Sequence, residues 1–202
     1  MTHFPLKLVF ILSFLLFGCA SSAPTQFYML TPLSKSDIEP LGAAFGQDLA
    51  IGVGPMELPD YLDRPQIVTQ LGPNEYKLAP FDNWSEPLKD NVRDVLAENL
   101  ALLIPTERIA LFPWKRDRQI NYQVTVRVIR FDRSVDGDSV LTARWRLLDG
   151  DGKAELVVRT KTYTVPPNGP DYSATVAAMN QTLAELSRDI ATAIRNVQSG
   201  GR

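Results

Sequence analysis

An almost unbroken apolar run, Leu8 to Phe17, ends two residues before the only cysteine of this 202-residue chain. Ten helical residues rise about 15 Å at ~1.5 Å each. The hydrocarbon core of a bilayer is ~30 Å thick. The run is therefore too short to span, and with Lys7 before it, it reads as the core of a signal peptide. A lone cysteine also rules out an internal disulfide, so the remainder must hold itself together by packing. That remainder is the size of one domain, ~100–200 residues, and a chain of this length hides roughly 70% of its unfolded surface. Hydrophobic residues at 45% and charged residues at 22% are ordinary globular usage.

Leu16-Phe17-Gly18-Cys19 resembles a lipobox, in which a small residue precedes a cysteine that is acylated before cleavage. Leu16, Gly18 and Cys19 fit, whereas Phe17 stands where a small or β-branched residue is commoner. The alternative is an ordinary signal peptide cleaved after Ala20 or Ala23, with Cys19 discarded or left free. On the lipobox reading, residues 1–18 are the signal peptide, 19–25 a lipidated tether, and 26–198 a single domain. Ala20 is not the Asp that often retains lipoproteins at the inner membrane, which points to the periplasmic face of the outer membrane. Each buried CH₂ contributes ~0.8 kcal/mol, so two or three acyl chains hold permanently. The formal net charge of −2 gives no electrostatic support to a nucleic-acid partner or to adsorption on an anionic membrane.

The mature chain alternates two periodicities. Gln26–Leu30 and Leu49–Val53 read as strands, the second ending at Gly54-Pro55. Leu33–Gln47 is loop-like, and Gln66–Thr69 with Glu75–Leu78 reads as a hairpin around Gly72-Pro73-Asn74. In Leu88–Ile104, the residues Leu88, Val92, Val95, Leu96, Leu100 and Leu103 share one helical face. Asn83 or Ser85 is placed to cap it, and Pro105 stops it. Arg108–Phe112 is a short strand. Tyr122, Val124, Val126 and Val128 alternate, then Ile129 and Phe131 change phase, which predicts a bulge or burial of both faces. Leu141, Ala143, Trp145 and Leu147 face opposite to Arg144 and Arg146, and Glu155–Val165 forms a third strand. Asp136-Gly137 and Asp149-Gly150-Asp151-Gly152 are the hairpin turns. A final helix opens at Asp171 or Ser173 and buries Val176, Leu183, Leu186, Ile190, Ile194 and Val197. The expected fold is α/β, at the border of α+β: one mixed, mostly antiparallel sheet packed against two long amphipathic helices.

Residue supply limits the chemistry. The only histidine, His3, lies in the signal peptide. The mature chain thus has no histidine base, no cysteine nucleophile once Cys19 is acylated, and no His/Cys metal site. Asp149-Gly-Asp151-Gly opens like a calcium loop, but Lys153 holds the third ligand position and the closing Glu is missing, so a β-turn is the reading. No glycine-rich phosphate loop is present. No enzyme activity, cofactor or metal is expected.

One segment is distinctive: Pro59-Asp60-Tyr61-Leu62-Asp63-Arg64-Pro65-Gln66-Ile67-Val68, preceded by Ile51-Gly52-Val53-Gly54-Pro55 and followed by Leu78 and Asn83-Trp84-Ser85-Glu86-Pro87-Leu88. With Phe27-Tyr28-Met29-Leu30, Phe131-Asp132 and the strand of Trp145, the chain resembles the PqiC/YmbA family, auxiliary lipoproteins of ABC-type intermembrane transport systems. The family usually has Arg before the tryptophan, where this chain has Asn83. The resemblance implies a partner rather than a reaction. That partner is an MCE-domain (PqiB-like) protein met at the outer membrane, with a homo-oligomeric ring as one arrangement and envelope integrity as the outcome.

The residues themselves offer a contact surface. Pro59 and Pro65 frame a stiff loop, and Tyr61, Leu62, Arg64, Pro65 and Trp84 are the candidate partner-binding residues, since aromatics and Arg are favoured at interface centres. Equally, Tyr61 and Leu62 can fold onto the core while Arg64 pairs with Asp60 or Asp63, and Trp84 can be a core residue at the helix start. Trp114 and Arg116 are a second candidate patch. A different reading of the whole chain is a periplasmic carrier that holds a phospholipid itself, which requires a deep apolar cavity.

Overall fold

The computed structural model describes residues 23–38, 49–115 and 119–200. The signal peptide, Cys19, residues 39–47 of the loop-like segment and Arg116 lie outside the described residues. The strands are β1 Gln26–Tyr28, β2 Ile51–Glu57, β3 Gln66–Gly72, β4 Glu75–Trp84, β5 Ile109–Leu111, β6 Tyr122–Arg133, β7 Ser139–Asp149 and β8 Glu155–Val165. The helices are α1 Leu88–Leu103 and α2 Tyr172–Gly200, with a short 3-10 turn at Lys35–Asp37.

The spine is the antiparallel meander β6–β7–β8. Its alternating apolar residues point to one face, where Val124, Val126, Leu141, Ala143, Trp145 and Leu147 are all buried. The change of phase in β6 is a register shift between Val128 and Arg130, which turns Ile129 out to solvent while Phe131 returns to the core. The other edge of β6 is shared. Its first half pairs in parallel with β2, and Arg133 at its end pairs in parallel with Thr69 of β3. β2 and β3 therefore lie along one strand edge, interrupted by residues 58–65. β4 pairs antiparallel with β3, β1 adds in parallel to the end of β4, and β5 adds in parallel to β2. The sheet is mixed, with long antiparallel ladders and short parallel ones. The α/β to α+β expectation of one such sheet with two helices is what forms.

Both helices cover the apolar face. α1 packs on β2, β5 and α2, while α2 packs on β6, β7 and β8. The expected face of α1 is buried, as are Val176, Leu183, Leu186, Ile190 and Ile194 of α2. Asp171 caps α2, its Oδ1 accepting the Ala174 amide at 2.7 Å.

Three local expectations need correction. β2 continues past Gly54-Pro55 to Glu57, because β6 offers a partner again at Met56↔Val126 after a register shift. β4 runs to Trp84 rather than Leu78, because β1 pairs with Asp82, Asn83 and Trp84. Neither Asn83 nor Ser85 caps α1. Its N-cap is Pro87, with no side-chain cap; Asn83 is held in β4 opposite Gln66, and Ser85 Oγ donates to the Tyr28 carbonyl at 3.1 Å.

Candidate functional site

The chain that leaves β1 is strapped to the helices by asparagine side chains. Asn91 of α1 accepts the Leu30 amide at 2.7 Å and donates to the Leu30 carbonyl at 3.3 Å. Asn99, about two turns further along the same face, accepts the Leu33 amide at 2.7 Å and donates to Ser187 of α2 at 3.1 Å. Asn180 of α2 accepts the Thr31 amide at 3.1 Å and donates to the Thr31 hydroxyl at 3.0 Å. An irregular segment has no ladder to satisfy its backbone, and here three amides do so instead. Sequence reading missed these residues. Asparagine on an otherwise apolar helix face was the available signal.

The Pro59–Pro65 loop leaves β2 and returns as β3. Its backbone closes on itself, with Leu62 N donating to the Pro59 carbonyl at 2.9 Å and Asp63 N to the Asp60 carbonyl at 3.2 Å. The Pro65 carbonyl accepts the Trp84 amide, which ties the loop to the end of β4. Leu62 is 2% exposed and Trp84 6%, so both side chains lie in the core. Tyr61 and Arg64 are half-buried, and Asp60, Asp63 and Pro65 are exposed. Arg64 Nε is buried without a hydrogen-bond partner. Among the ion pairs of the described residues, none joins Arg64 to Asp60 or Asp63.

Tyr61 is fixed at both ends. Its ring lies 4.8 Å from that of Tyr76, and its hydroxyl donates to Asp132 Oδ2 at 3.0 Å. The Asp132 side chain is fully buried, and its Oδ1 accepts Arg130 Nε at 2.9 Å. Burial first, and then the Asp132 charge, hold the Tyr61 phenol far above its ordinary range. It is thus a neutral donor to a buried carboxylate, and this bond positions the loop. Sequence reading singled out Tyr61 but not Asp132 or Arg130 as its partners. A charged pair beside the phase slip of β6 was the signal.

Trp114 lies half-buried over β2. A Cβ on Gly52 would meet its ring at 2.9 Å, so the glycine makes room for it, and Phe112 stands edge-on to it at 5.4 Å. Gly54 does the same for Phe112, at a φ of +116° that favours glycine. Among the described residues, no three His, Cys, Asp or Glu side chains gather as a metal site. The Asp149–Gly152 segment is a hairpin turn, with Asp149 Oδ1 accepting the Lys153 amide at 2.7 Å. No described helix is long and apolar enough to cross a membrane. The groove between the strapped segment and α2 mixes Thr31, Asn180, Gln181, Glu185 and Arg188 with Pro32, Leu33, Ala177 and Ala184.

Residues 28–191 match the family described as ABC-type transport auxiliary lipoprotein component. The intermembrane transport lipoprotein PqiC of Escherichia coli K12 is 28% identical over 140 residues, covering 69% of this chain and 72% of that one. PqiC of Shigella flexneri matches equally. A crystal structure of a protein from Xanthomonas campestris superposes with a TM-score of 0.68 at 20% identity, over 88% of this chain and all of that one. Another, of an uncharacterized protein, gives 0.69 at 23% identity, over 85% and 99%. These two likenesses speak for the fold alone.

Proposed function

The chain belongs to the family of ABC-type transport auxiliary lipoprotein components, and on that premise we propose that it is the outer-membrane adaptor of an MCE-type intermembrane lipid transport system. The family is one of auxiliary transport components, not of enzymes. In this reading Cys19 carries the acyl chains at the periplasmic face of the outer membrane, and the domain meets an MCE-domain protein by contact. A ring of copies is the assembly the family resemblance implies, and loss of the protein weakens the envelope.

The observation that carries the reading is the construction of the 59–65 loop. Exposed Asp60, Asp63 and Pro65 stand on a buried footing of Leu62, Trp84 and the Tyr61–Asp132 bond. A rigid rim without reactive groups suits recognition, because little ordering entropy is lost on binding. We assign the contact to Arg64 and Pro65, with Tyr61, Leu62 and Trp84 as their support. The asparagine strap at Leu30–Leu33 holds the tether side of the domain to both helices, and anchoring raises the local concentration of the rim at its membrane.

Purification of the full chain from membranes tests this reading. An MCE-domain protein is expected to co-purify, and Cys19→Ser is expected to abolish fatty-acid labelling and membrane retention. A mature N-terminus beginning downstream of Cys19, without acyl groups, would remove the anchor from the account.

A further inference from the structure

The face of the sheet turned away from the helices holds a groove of about 220 Å³ lined by Pro55, Glu57, Thr125, Arg127, Arg144 and Arg146. Register builds it. Glu57 of β2 lies opposite Arg127 of β6, and Arg127 lies opposite Arg144 of β7. Arg146 lies opposite Thr125, to whose hydroxyl its Nε donates at 3.1 Å, while its Nη1 reaches Glu155 at 3.1 Å. Like charges directly opposed on neighbouring strands destabilise a sheet. Yet Arg127 is met only by Glu57, at 3.5 Å with both side chains well exposed, and Arg144 has no ion-pair or hydrogen-bond partner among the described residues. The chain is acidic overall, so general basicity does not account for three guanidiniums in one groove.

We propose that this groove binds a phosphate group, held by Arg127 and Arg144 with Arg146 pre-oriented beside them. The choice of anion follows from donor supply. Each guanidinium presents five N–H groups in a planar fork. Glu57 and Glu155 already give carboxylates to Arg127 and Arg146, and leave Arg144 open. A phosphate, with more acceptor oxygens than a carboxylate, can bridge the opposed pair and remove its repulsion. The phosphate can come from a phospholipid headgroup or from free phosphate.

Calorimetry on the full acylated chain in a non-ionic, phosphate-free detergent tests the proposal. The probes are inorganic phosphate, glycerophosphoglycerol as an acyl-free headgroup, and a hexaglutamate peptide. Both phosphate probes are expected to bind, at least tenfold more weakly to Arg144→Gln and to Arg127→Gln, and unchanged to Lys77→Gln on β4. Arg144→Lys, which keeps the charge but loses the fork, is expected to recover part of the loss. Tighter binding of the diester assigns the groove to a headgroup, and tighter binding of inorganic phosphate assigns it to the free ion; either supports the proposal. In phosphate-free buffer the glutamine variants should melt no lower than the parent, which separates lost ligation from lost folding. If Arg144→Gln does not fold, Arg127→Gln and Arg144→Lys carry the same readout. The proposal is overturned if neither phosphate probe binds, if binding survives both glutamine substitutions, or if only the glutamate peptide binds. Because the readout uses the isolated chain, such a failure leaves the adaptor reading standing.

Discussion

Asp132 is out of water on β6, with Arg130 on one carboxylate oxygen and the Tyr61 hydroxyl on the other. Removing one partner of a buried charge leaves the other uncompensated. Asp132→Ala should therefore cost about 3–5 kcal/mol, a fall in Tm of roughly 6–20 °C at ~2–4 °C per kcal/mol. Tyr61→Phe keeps the ring against Tyr76 and loses only the bond, so about 1.5–3 kcal/mol is expected. Thermal melts of the two variants check the order. Tyr28 gives a pH test. Burial, then its 2.9 Å bond to Asp82, push its phenol up to about 12, against ~10 in the unfolded chain. The folded state holds that proton more tightly, so the contribution is complete below pH ~10 and lost as pH rises through about 12. Tyr28→Phe should flatten the decline of Tm across that window, and an unchanged slope would count against the assignment.

At the scale of elements, Asn91 and Asn99 trade helix-face apolarity for a hold on the chain beyond β1. Asn91→Leu should raise hydrogen exchange at Leu30–Leu33 while α1 itself stays protected; uniform exchange would contradict the strap. Leu62→Ala, at a fully packed loop position, should cost about 2–5 kcal/mol. What sequence conveyed here depended on the range of the interaction. The slip at Ile129 was legible because a period of two broke within a few residues, and the faces of α1 and α2 because a period of 3.6 persisted. The cap of α1 was not. Ser85 is a good local cap, but its hydroxyl is taken by a carbonyl 57 residues away in sequence. The continuation of β2 past Gly54-Pro55 depended likewise on a partner strand distant in the chain.

At the scale of the molecule, the class of fold was legible from two amphipathic helices and a β-meander, whereas the sharing of one β6 edge by β2 and β3 was not. That arrangement creates the site, since the 59–65 loop is the interruption between two strands laid along the same edge. Pro59 and Pro65 marked the loop in sequence, and its burial depended on Asp132, Tyr76 and Trp84 from elsewhere. The central claim is that this loop is where a lipid-anchored adaptor meets its transport partner. The direct measurement is photo-cross-linking in intact cells from a benzoyl-phenylalanine substituted for exposed Pro65, with exposed Lys153 after the β7–β8 turn, at the other end of β6 from Asp132, as the control position. The account predicts an adduct with an MCE-domain protein from position 65 and none from position 153. Equal adducts from both positions, or none with any MCE-domain protein, would contradict it.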